Sequence, residues 1–111
     1  METLTFQDYQ AASADTRIYP EQFKVVYPAL GLSGEVGEVL ELVKKALRDE
    51  MGEFSEERRD NLRKELGDVI WYLAALCEDL GFDFSEVAQI NLDKLRSRKD
   101  RGVLSGSGDN R

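Results

Sequence analysis

Glu35-Val36-Gly37-Glu38-Val39-Leu40 and Glu65-Leu66-Gly67-Asp68-Val69-Ile70 carry one pattern twice, 30 residues apart: acid, aliphatic, glycine, acid, aliphatic, aliphatic. The match continues in apolar type through Leu42/Tyr72, Val43/Leu73, Ala46/Leu76 and Leu47/Cys77. A duplication of this kind is expected of two helices that present equivalent faces to each other. Around the first copy, Leu32, Val36, Val39, Leu40, Val43, Ala46 and Leu47 fall on one apolar stripe of a helix expected over residues 29–48. Around the second, Leu62, Leu66, Val69, Ile70, Leu73, Leu76, Cys77 and Leu80 do the same over residues 56–80.

Punctuation on either side completes the architecture. Thr5 is suited to cap a first helix over residues 6–14. Residues 15–28 are less regular, with Tyr19-Pro20 opening a short helix and Phe23 and Tyr27 at i, i+4, read as core aromatics with a pocket lining as the sharper alternative. Ser55 followed by Glu56 and Glu57 marks the start of the third helix, and Gly81 its end. Asp83 with Glu86 is a near capping box for a fourth helix to about residue 101. The short connections imply antiparallel neighbours. The expected fold is therefore all-α: a four-helix-bundle-like domain over residues 1–101, four to five helices around an antiparallel central pair. Residues 102–111 form a Gly/Ser-rich tail that composition alone would leave disordered.

Composition narrows the chemistry. At 111 residues the chain fits one domain, and 41% hydrophobic with 33% charged residues suits a helical globule. No apolar run approaches the length of a membrane span, and Met1 to Phe6 lacks the features of a signal peptide, so cytoplasmic residence is the default expectation. There is no histidine, which removes His-based triads and His-ligated zinc. The lone Cys77 sits in an apolar run and is read as a small core residue. A net charge of −7 argues against nucleic-acid polymers as partners. The charge is uneven, however: Lys94, Arg96, Arg98, Lys99, Arg101 and Arg111 crowd the C-terminal end against Asp100 and Asp109. An acidic body with one basic end can still take a small phosphorylated ligand if cations neutralise the acids.

Glu-x-x-Glu by itself is a weak signal, since Glu38/Glu41, Glu50/Glu53, Glu53/Glu56 and Glu57/Asp60 share the spacing. Three features set the duplicated pairs apart. Their acids repeat in register with the apolar stripe, which a solvated face has no reason to do. Asp68 lies in angle between Trp71 and Tyr72 with no basic residue three or four positions on, a costly place for a charge without a partner. Gly37 and Gly67 each cost about 1 kcal/mol against alanine in a helix, and both point away from the carboxylates, as close approach of a second chain would require. Carboxylates at i, i+3 on two facing helices can supply an oxygen-rich site for Mg²⁺ or Mn²⁺. Four crowded acids repel until a cation arrives.

With these motifs in this order, the sequence resembles the MazG-like, all-α nucleoside triphosphate pyrophosphohydrolases. The resemblance rests on Glu35-x-x-Glu38, on Glu65-x-x-Asp68 followed by Val-Ile-Trp71-Tyr72, on Asn91-x-x-Lys94-Leu95-x-x-Arg98, and on the ending from Arg101 to Arg111; it runs from about residue 29 onward. It implies hydrolysis between the α- and β-phosphates of a (d)NTP, giving monophosphate and pyrophosphate. Glu35, Glu38, Glu65 and Asp68 would hold Mg²⁺, and Glu35 or Glu38 would position the water. Asn91, Lys94 and Arg98 would reach phosphate oxygens, Trp71 and Tyr72 the base, and Ser107, Asn110 and Arg111 would fold over the phosphates. The family also implies a homodimer or dimer of dimers. The alternatives are a phosphoribosyl-ATP pyrophosphohydrolase and a non-catalytic helical interaction protein.

Overall fold

A reciprocal cap opens the first helix, α1 (Phe6–Ser13): the Asp8 amide donates to Thr5 Oγ1 at 3.0 Å and the Thr5 amide to Asp8 Oδ2 at 3.2 Å. The computed structural model describes residues 3–111; Met1 and Glu2, part of the stretch read above for a leader, lie outside the described residues. Two 3₁₀ turns, Ala14–Thr16 and Glu21–Phe23, lead into α2 (Val26–Asp49), and α3 (Glu56–Leu80) and α4 (Phe84–Asp100) follow. Among the described residues there is no strand, and no helix is long and apolar enough to cross a membrane.

The expected boundaries hold closely, with one difference. The second helix starts at Val26 rather than near residue 29, because Pro28 falls in its first turn, where no N–H is needed and the fixed φ is favourable. Ser55 Oγ caps α3. At its other end Gly81 (φ +77°) closes a Schellman motif: Phe82 N–H donates to Cys77 O and Gly81 N–H to Glu78 O. Asp83 caps α4 through the Ser85 amide at 2.9 Å, one position short of the box expected with Glu86.

The helices α2 and α3, 24 and 25 residues long, form the central antiparallel pair. Arg58 clamps their connection. Its Nε and Nη2 donate to Glu50 Oε1 at 2.8 and 2.6 Å, and Nη1 reaches Leu42 O at 3.2 Å. The first helix packs on both α3 and α4. Its buried Gln10 is a polar pin: Nε2 donates to Glu78 Oε2 and Phe82 O, and Oε1 accepts from the Phe84 amide, all at 2.9 Å.

The expected apolar stripes do not form the interior of the single chain. The buried hydrophobic residues are small or sit at the α3–α4 corner: Ala46, Ala74, Ala75, Pro28, Cys77 and Phe84. Ala74 packs with Cys77, Phe84 and the partly buried Tyr9, joining α3 to α4 and α1. Leu40, Leu47 and Leu66 are 63%, 66% and 50% exposed. The expectation for Cys77 does hold, and burial pushes its thiol up. Between α1, α3 and α4 an apolar groove of about 560 Å³ remains open, lined by Leu4, Phe6, Tyr9, Ile70 and Leu92 with Gly67 at its edge. The radius of gyration is 17.0 Å, against about 13 Å for a compact chain of this length. The accessible surface is 8333 Å², roughly 2,000 Å² above that of a typical monomer of this mass.

Arg58→Ala is expected to lower Tm by roughly 5–10 °C, because it strips Glu50 of its partner and leaves Leu42 O short of a donor. Arg58 holds the Glu50 carboxyl below its ordinary value. A depressed carboxyl contributes stability above its unfolded pKa and loses it as pH falls. The gap between wild type and variant should therefore narrow as melts are taken down through and below about pH 4.5.

Candidate metal centre

Glu35 on α2 and Glu65 and Asp68 on α3 bring a carboxylate oxygen each to within 4.8 Å of one another. The antiparallel pairing does this directly, since each copy of the duplicated stretch sits mid-helix on the facing edge. Glu38 stands outside that group, exposed one turn further along α2. No ion pair among the described residues involves any of the three. Burial first, then a hydrogen bond with Glu65 and the charges of Asp68, Glu65 and Glu38, raise the Glu35 carboxyl above its ordinary 4.5. Three uncompensated carboxylates at this separation fit a hard divalent cation by chemistry: an oxygen-only donor set whose own repulsion a cation would relieve.

Beside the acids lies a cavity of about 350 Å³ lined by Glu35, Asp68, Trp71, Tyr72 and Thr16. Trp71 and Tyr72 meet edge to face with centroids 5.0 Å apart. The indole is fixed from the N-terminal segment: Trp71 Nε1 donates to Thr16 Oγ1 at 2.7 Å, and that hydroxyl donates to Ser13 O at 3.0 Å. Tyr72 is seated against α2 at Gly31, where a Cβ would collide with its ring. A glycine is needed there, whereas Gly37 and Gly67 face open space. Burial, the neighbouring Tyr27 and the charge of Glu35 raise the Tyr72 hydroxyl above its usual range.

The aromatics of residues 19–27 do not enter a core. Tyr27 is about half exposed and stacks on Tyr19, centroids 4.7 Å apart, and Phe23 is also half exposed. The segment is fastened to α3 by Asp79, whose Oδ2 accepts from the Tyr19 hydroxyl at 2.7 Å and from the Val25 amide at 3.0 Å. Val25, a β-branched residue at φ +67°, sits in a tight turn closed by Val26 N–H donating to Lys24 O at 2.7 Å. The Asp79 bond holds that strained turn at the mouth of α2.

The structure thus brings Glu35, Glu65, Asp68, Trp71 and Tyr72 together. Asn91 is exposed on α4, and neither it nor Lys94, Arg98 or Arg111 lines this cavity. Lys94 and Arg98 instead engage Asp109, and Arg111 donates to Val103 O, Leu104 O and Gly108 O within the tail. Thr16 and Asp79 were not legible as site-building residues, because nothing local marks a hydroxyl or carboxylate that acts across more than fifty positions. Gly31 had a signal, a helical glycine preceding the first acid pair, but its partner lies 41 residues on.

This geometry meets the comparisons at residues 28–103, which match the MazG nucleotide pyrophosphohydrolase domain. The chain belongs to the MazG nucleotide pyrophosphohydrolase family. Among relatives of this MazG chain is the Gene 37 protein of Mycobacterium phage L5, 51% identical over 109 residues that cover 93% of this chain and 96% of the relative. No solved structure matches it. The matched region contains both acid pairs, the aromatic pair and all of α2 beyond its first turn.

Glu35→Gln should report on the acid repulsion. A carboxyl raised on folding contributes stability that is present at low pH and lost as pH rises from about 4.5 through the raised value. At pH 7 without divalent cations the variant is therefore expected to melt a few degrees higher than wild type, and to show a much smaller Tm rise than wild type on adding Mg²⁺. A variant that melts lower and keeps its Mg²⁺ response would overturn the assignment.

Proposed function

We propose that this MazG-family chain is a Mg²⁺-dependent (d)NTP pyrophosphohydrolase, releasing monophosphate and pyrophosphate in nucleotide-pool control. The observation that supports it most is the convergence of Glu35, Glu65 and Asp68 beside the Trp71–Tyr72 cavity. Glu35, Glu65 and Asp68 would hold Mg²⁺ or Mn²⁺, which when bound screens phosphate charge and acidifies water. Glu38, outside the three-acid group, takes the proton of the attacking water. The new P–O bond forms on phosphorus as the α–β bridging P–O bond breaks and pyrophosphate leaves. Trp71, held by Thr16, and Tyr72, seated at Gly31, offer the base an aromatic ring face on which any base can stack. Lys94 and Arg98, one turn apart on α4 with Asn91 on the same face, supply the grip on the phosphates.

The same proposal includes assembly, as a homodimer or dimer of dimers. An excess of roughly 2,000 Å² per chain is what an obligate dimer interface covers. The exposed Leu40, Leu47 and Leu66 and the groove beside Gly67 are the surface it would cover.

Two measurements check this reading. A pyrophosphate-release screen over dNTPs, NTPs and phosphoribosyl-ATP should show Mg²⁺-dependent turnover of nucleoside triphosphates. Asp68→Asn and Glu38→Gln should each lose at least about 100-fold, since even changing a group that only hydrogen-bonds a metal's ligands costs about 10–100-fold, while their helical circular dichroism persists. Light scattering should give two or four times the 12.6 kDa chain mass, and Leu66→Glu should shift the protein toward monomer. Full activity in both acid variants, or a monomeric wild type, contradicts the corresponding part.

A further inference from the structure

We propose that Asp109 is a built-in competitor for the Lys94–Arg98 cation pair, so that the C-terminal segment must be displaced before a polyphosphate can use it. This role presumes the nucleotide chemistry proposed above and adds its regulation. Lys94 and Arg98 lie one turn apart on the same face of α4. One oxygen, Asp109 Oδ1, accepts from Lys94 Nζ at 3.0 Å and from Arg98 Nη2 at 3.1 Å, and Nη2 also donates to Asp109 O at 2.7 Å. Hydrogen bonds from Lys94 and then Arg98 hold the Asp109 carboxyl below its usual range, so it is an anion at neutral pH.

The fit is incomplete. The Arg98 side chain is only 6% exposed, yet its Nε is buried with no hydrogen-bond partner. A guanidinium presents donors in a fork that matches two oxygens of one anion, and Asp109 meets only one corner of it. A phosphate group, with three oxygens and more charge, would satisfy more of these donors than the carboxylate does. Asp109 is also 79% exposed, so solvent and competing anions reach it freely.

The segment carrying Asp109 is folded to present it. Gly102, Gly106 and Gly108 take positive φ and turn the chain back. Arg111 then fastens it through Val103 O, Leu104 O and Gly108 O, and Arg101 Nη2 donates to Arg111 O at 2.8 Å. Most of these bonds are internal to the segment, so it can swing away as a unit once the Asp109 contacts and the Arg101–Arg111 bond break.

The test is calorimetric titration of the full chain with inorganic pyrophosphate in EDTA, which isolates the cation pair from the acids. Asp109→Asn should bind about 3–10-fold more tightly than wild type, the scale of losing exposed charge pairs. In wild type, pyrophosphate should speed hydrogen exchange at the amides of residues 103–111. Unchanged or weaker binding by Asp109→Asn, or unchanged or slower exchange in the segment on adding pyrophosphate, would overturn the proposal; the exchange measurement decides even if the variant folds poorly. The two readings separate cleanly. Tighter pyrophosphate binding without any nucleotide turnover leaves the competitor standing and removes the enzyme, and turnover with indifferent binding does the reverse.

Discussion

The structure depends on holding three carboxylates, from two helices, within 4.8 Å of one another. Two unit charges at that distance repel by roughly 3 kcal/mol at an effective dielectric near 20, before solvent screens the exposed Asp68. Against a typical folding stability of about 5–15 kcal/mol, that is a large local cost. The chain offsets it with neutral contacts elsewhere along α2 and α3. Tyr72 seats against α2 at Gly31, and the Arg58 clamp ties the connection at the near end. The Schellman turn and the Gln10 pin fix the other end of α3. A site that strains its own scaffold in this way is poised to gain stability from a cation.

The packing that makes the site also leaves the chain open. The α2–α3 pairing brings three acids together, yet the hydrophobic residues buried in the single chain are few and mostly small, and leucines of both stripes stay exposed. Gly31 and Gly67 illustrate the division. The first makes room for an aromatic ring within the chain, while the second sits at the rim of an apolar groove with nothing yet against it.

The N-terminal segment and the basic end finish the arrangement from opposite sides. Thr16 fixes the Trp71 indole beside the acids, and Asp79 fastens Tyr19 and the strained turn at Val25 to α3. On α4, the cations meet the tail's own carboxylate rather than standing free.

The helices, their caps and the acid pairs were legible in the chain because each depends on neighbours three or four positions away. Thr5, Ser55, Gly81 and the spacing of Glu65 and Asp68 are all of this kind. What covers a stripe is not local, and so the leucines read as core proved to be surface in the single chain. The same holds for Lys94 and Arg98, whose partner Asp109 is brought back by three glycines that composition alone would assign to a disordered tail. By itself the sequence determined an all-α chain with an i, i+3 acid pair on each of two helices, since helical periodicity encodes both. Only the tertiary structure decided that three of those acids converge while Glu38 stands apart, that Gly31 and Thr16 set the aromatic wall, and that the basic pair is already engaged. Those outcomes turn on distances of a few ångströms between residues dozens of positions apart, and only packing sets such distances.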